Sequence, residues 1–136
     1  MRKLLLILLF TIPIFGQRYI DVTIAASESL STVVFPAVTV AGEQITAKLL
    51  AIQMPDTGWT TADITFEVSD DTSGATWYDL YDWNSSQVSL TGAANVMFAC
   101  DPRWLVGARY VRLKTSATQD YARTIRLIFW EPEGVK

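Results

Sequence analysis

Residues 63–69 alternate without a break, Ile64, Phe66 and Val68 against Asp63, Thr65, Glu67 and Ser69. Successive side chains of an extended chain point to opposite faces, so this stretch has one apolar and one polar side and needs a second layer over the apolar one. It stops at Asp70-Asp71-Thr72-Ser73-Gly74, where short polar side chains bond their own backbone and a glycine is free to take positive φ, the chemistry of a hairpin loop. A return strand is predicted over residues 76–83, with Trp77 in the core, and Asn84-Ser85-Ser86 turns the chain again. That tripeptide also matches the N-glycosylation acceptor pattern, which is common by chance.

The same period recurs elsewhere. Ile20, Val22 and Ile24 alternate with Asp21, Thr23 and Ala25, and a polar turn over residues 27–31 leads into the β-branched run Thr32, Val33, Val34 and Phe35. Pro36 marks an edge or a bulge before a strand at residues 38–40. Residues 44–53 read as one longer strand, buried on both faces toward its end, and Met54-Pro55-Asp56-Thr57-Gly58 breaks it. Further strands are predicted over residues 87–90, 95–100, 108–115 and 122–130, with one short helical turn at 59–62 or 102–106 and no long helix after residue 17. The 136 residues, half of them hydrophobic and 18% charged, suit a single domain with its own core over residues 17–136. Many short strands with polar turns imply antiparallel sheets packed face to face, and a jelly-roll β-sandwich is the expected architecture.

The N-terminus has a different character. Arg2 and Lys3 precede an apolar run over residues 4–15, broken only by Thr11 and Pro13, and Gly16 follows. Residues 1–16 read as a secretory signal peptide cleaved after Gly16, or as a hydrophobic arm that docks on a partner subunit. The run is too short to span a bilayer as a helix, so no stable membrane span is expected.

Several chemistries are poorly supplied. The chain has no histidine, which removes Ser-His-Asp and Cys-His catalysis and the commonest zinc ligand. Cys100 is the only cysteine, lies beside Met97, Phe98 and Ala99, and reads as a buried, inert thiol. Asp70 and Asp71, with Asp79 and Asp82, are weak candidates for calcium, since their spacing is not that of an EF-hand. Pairs such as Asp56 and Glu67, or Asp79 and Asp82, carry no glycosidase signal in sequence because the required separation is spatial. The 11 basic residues are scattered against 14 acids, for a formal charge of −3, so nucleic acid is not an expected partner. The expectation is a protein that is no enzyme and holds no cofactor or metal.

What the residues do offer is contact surface. Trp59, Trp77, Trp83 and Trp104 supply rings that stack on a sugar when exposed. Trp59, in a loop beside Gly58, and Trp104 are the ring candidates, and Arg103, Arg109 and Arg112 bring planar forks for a hydroxyl or a carboxylate. Tyr110 and Arg112 share with Lys114 the face opposite Val111 and Leu113. A solvated outer sheet face is the plainer reading of that triplet.

The segment ITFEVSDDTSGATWYDLYD resembles the hairpin of discoidin-type, galactose-binding-like domains, and GARYVRLK at residues 107–114 is similar to a late strand of that family. The span 20–129, including LLAIQMPDTGWTTADITFEVS, also resembles small bacteriophage structural proteins, in which an I-x-M-P strand end and a Trp-Thr-x-Ala turn lead into the same hairpin. The resemblance implies a discoidin-like jelly roll in a virion-associated protein: a head decoration, fibre or tail component that contacts other virion proteins and assembles as a homo-oligomer. The alternative is an exported, lectin-like module, secreted or periplasmic, that binds cell-surface glycans. Residues 1–16 fit export better; the longer resemblance fits the virion.

Overall fold

A computed structural model of the chain describes residues 16–40, 43–71 and 76–131. Among them there is no helix, and hence none long and apolar enough to cross a membrane. The strands are β1 (Gly16–Ile24), β2 (Ala37–Val40), β3 (Glu43–Thr46), β4 (Lys48–Gln53), β5 (Ala62–Ser69), β6 (Tyr78–Asp79), β7 (Ser89–Gly92), β8 (Met97–Ala99), β9 (Tyr110–Thr115) and β10 (Arg123–Glu131). Every ladder is antiparallel.

One four-stranded sheet runs β1-β10-β4-β8. In the second, β5 is central, with β9 along one edge. Its other edge is shared end to end, since β7 pairs with residues 62–65 and β6 with Glu67 and Val68. The two sheets contribute to one apolar cluster: Val22, Ile24, Leu49, Ile52, Ile125 and Phe129 from the first, Ile64, Phe66, Val111 and Leu113 from the second. This is a sandwich-like, all-β architecture, and alternation underlies it, because β1, β5, β9 and β10 each turn alternate residues to the shared inner side. A separate β2-β3 hairpin stands beside it.

Residues 29–34 join the sheets along one side. Thr32 N–H donates to Thr23 O on the β1 side, while Ser31 N–H donates to Leu113 O and Val34 exchanges both backbone bonds with Val111 on β9. The Ser31 hydroxyl oxygen accepts from Leu113 N–H at 2.9 Å. Thus the β-branched run predicted as a strand is instead a corner of isolated bridges, its backbone divided between two sheets.

Four other expectations change. The single strand expected over residues 44–53 is split at Ala47, whose N–H bonds Pro36 O, so that β3 serves the hairpin and β4 the first sheet. Within β4 the register slips between Ile128 and Phe129 of β10, leaving Leu50 as an extra residue and turning both Leu49 and Ile52 inward. The return strand expected over residues 76–83 is ladder-paired only at Tyr78 and Asp79, because β7 claims the rest of that edge and the chain folds back through a Tyr81–Gln87 bridge. Trp77 is therefore not a core residue; it lies half-buried with the Arg112 guanidinium 4.1 Å from its ring centre. Residues 102–107 form consecutive turns rather than a helical turn.

Candidate functional site

The turn after β8 is built by its own sequence. Asp101 accepts the Arg103 backbone N–H at 2.9 Å and grips its guanidinium, Nε to Oδ1 at 2.9 Å and Nη2 to Oδ2 at 2.5 Å. Those bonds push the Asp101 carboxyl down to about 2 and raise Arg103, so the pair stays charged and mutually satisfied. Leu105, 1% exposed, anchors the turn in the core, and Gly107 takes φ 87°, a conformation that favours glycine. Trp104 is held between them with its ring tilted 59° against Phe66 at 5.8 Å.

Across from this turn lie β6 and the short fold-back after it. Asp82 Oδ1 accepts N–H bonds from Asn84 at 2.8 Å and Ser86 at 3.0 Å, an Asx-type turn that Ser85 completes at φ 61°. The tight turn leaves Trp83 78% exposed, and Tyr78 and Tyr81 also stand in solvent. The two walls enclose adjoining hollows that share Trp104. The larger, about 390 Å³, includes Val68, Asp70, Tyr78, Leu80 and Val106 in its lining. The smaller, about 120 Å³, is lined by Tyr81, Asp82, Trp83, Asp101 and Arg103 besides Trp104.

Of the residues singled out from sequence, the structure brings Asp70, Asp82, Trp83, Arg103 and Trp104 into this cleft and leaves the others elsewhere. Trp59 lies by the opposite end of β5, close against Gly92, where a Cβ would stand 2.6 Å from its Nε1. Its indole N–H is buried with no hydrogen-bond partner. The loop carrying it is clamped by Gln119, 0% exposed, which accepts from Thr60 N–H at 3.1 Å and donates to Thr60 O at 3.3 Å. Tyr110 packs on Phe35 at 5.7 Å. Asp71 sits beyond β5, its N–H bonded to the Ser69 hydroxyl. Among the described residues no group of three or more His, Cys, Asp or Glu side chains is placed to hold a metal.

Arg112 belongs to a charge cluster on the outer face of β5 and β9. Its Nε donates to Glu67 Oε2 at 2.6 Å, and Lys114 Nζ donates to Oε1 at 2.9 Å. Burial alone would raise the Glu67 carboxyl, but the bonds from Lys114 and Arg112 outweigh it and hold it below the usual carboxylate range. A more polar hollow of about 180 Å³ lies between Asp21, Gln53, Asp56 and Arg126. There Arg126 is already committed to Asp21 through Nε at 2.7 Å and Nη2 at 3.0 Å.

The chain matches no family model, no curated protein and no solved structure. The cleft therefore rests on its own geometry. Tyr78, Leu80, Tyr81 and Asp101 were not singled out for it from sequence, yet a signal was there. Trp77, Tyr78, Leu80, Tyr81 and Trp83 fall on both odd and even positions, so no single buried face could have taken them all.

Proposed function

We propose that this protein is a non-catalytic binding module whose aromatic cleft takes a carbohydrate. The observation that carries this reading is the grouping of Tyr78, Tyr81, Trp83 and Trp104 around two adjoining hollows with the carboxylates of Asp70 and Asp82 at hand. Sugar rings have apolar C–H faces that stack on aromatic rings and hydroxyls that donate to carboxylates, and a site of this kind needs both.

Several of the titratable groups weigh against catalysis. Glu67 is tied between two cations, Asp101 to Arg103 and Asp82 to its own turn, and burial pushes the Cys100 thiol up to about 12. With the Glu67 and Asp101 carboxyls held down by their cations and the Cys100 thiol held up by burial, these three are not poised as a nucleophile or an acid–base group near neutral pH. The jelly-roll reading, of the discoidin-like kind, draws support from the crossing of sheets at β4 to β5, β7 to β8, β8 to β9 and β9 to β10. Glycan-array binding by the intact chain is the test: bound glycans, lost on Tyr78→Ala, are the expected result, and an array left blank would end the reading.

The exposed rings also favour a second reading, that of a bacteriophage virion component working through protein contacts, because aromatic side chains are enriched in the centres of protein interfaces. Mass spectrometry separates the two. The chain in purified particles with Met1 intact supports the virion; a secreted chain beginning at Gln17 supports the exported glycan binder.

A further inference from the structure

We infer that the cleft is selective for uncharged oligosaccharides of at least two rings, one ring in each hollow, over single sugars; this rests on the carbohydrate reading above. The hollows, about 390 and 120 Å³, meet at Trp104. That residue is a fixed part of both linings, because its ring packs on Phe66 and its neighbour Leu105 is sunk in the core. Each hollow is equipped separately. The larger has the Tyr78 ring and the Asp70 carboxylate; the smaller has the Tyr81 and Trp83 rings and Asp82, whose Oδ1 takes both turn amides and leaves Oδ2 as an acceptor for a hydroxyl. Two sites that share Trp104, each with a stacking surface and an acceptor, reward a ligand that fills both at once, since the second ring is delivered at the effective concentration set by its glycosidic link.

Charge narrows the choice. Arg103 is the only cation among the described residues lining the hollows, and Asp101 neutralises it through a forked pair. A uronic or sialic acid would bring its carboxylate toward Asp70 and Asp82 with no free cation to receive it, an uncompensated like-charge contact. Neutral rings meet no such cost.

Isothermal titration calorimetry of the full chain tests this with glucose, galactose and mannose, their dimers and trimers, and the uronic-acid trimer of each series. In a series that binds, affinity is expected to rise about tenfold or more from one ring to two, with the uronic-acid trimer about tenfold weaker than the neutral one. Trp83→Ala and Tyr81→Ala change exposed side chains of the smaller hollow and are expected to weaken the dimer about tenfold and the single sugar by less. Equal affinity for one and two rings, tight binding of the uronic-acid trimer, or equal loss for one and two rings in both variants overturns the inference and leaves the carbohydrate reading standing. No binding in any series overturns both.

Discussion

Glu67 lies on the polar side of the most regular strand in the chain, yet it is only 8% exposed. Alternation assigns it to solvent; what buries and satisfies it, Arg112 and Lys114, comes from 45 and 47 residues further along. No local pattern carries that information, and for the same reason Arg112 read as a ligand-binding candidate when its fork was already occupied. Glu67→Gln is expected to cost about 2 kcal/mol at neutral pH, less than for a fully buried pair because Lys114 is 45% exposed. The cost depends on pH with a definite sign. The folded carboxyl titrates below its unfolded range, so the stabilisation is complete above the ordinary carboxylate range and is lost as pH falls through the depressed folded value. Urea unfolding of both chains over a pH series should show the gap closing in acid; a gap that persists there counts against the pairing.

Among the elements, β1, β5 and β9 were legible because each keeps its period of two from end to end, and β10 because Ile125, Leu127 and Phe129 keep it on the inner side although Ile128 between them is buried as well. β4 and β6 were not, because one depends on a slipped register and the other on competition for an edge. Leu50 illustrates the difference. As the extra residue of a bulge it separates Leu49 from Ile52 without changing the face either occupies, so removing it restores a regular strand with both still inward. A deletion in β5, which pairs residue for residue with β9, instead sends half of its apolar set to the wrong side. Deleting Leu50 is therefore expected to leave a folded protein, weaker by about 1–2 kcal/mol through the disturbed Leu50 O bond to Cys100 N–H. Deleting Thr65 should abolish cooperative unfolding. Circular dichroism melts of the two variants check the contrast, and equal damage from both would mean that the bulge is not what sets the faces.

For the molecule as a whole, Cys100 offers a reporter that needs no engineering. It is 9% exposed in the core, with its thiol pushed up to about 12, so reaction with a disulfide reagent requires opening of the fold. Labelling in native buffer is expected to be slower than in denaturant by a factor on the order of a thousand or more, following the stability measured by urea. Fast labelling of the native chain would place the thiol at a mobile edge instead. The apolar cluster and its two-sheet origin could be read from composition and alternation, whereas the aromatic cleft could not, since it exists only where the turn around Trp104 meets the fold-back around Trp83. The pairing of β1 with β10 has a consequence for how such a chain is made. Asp21 and its partner Arg126 are 105 residues apart, so during synthesis the first strand leaves the ribosome long before its neighbour is translated. Until then its hydrogen-bonding edge toward β10 is unsatisfied, and the first sheet can close only as one of the last events, which makes the waiting nascent chain the stage most in need of a chaperone.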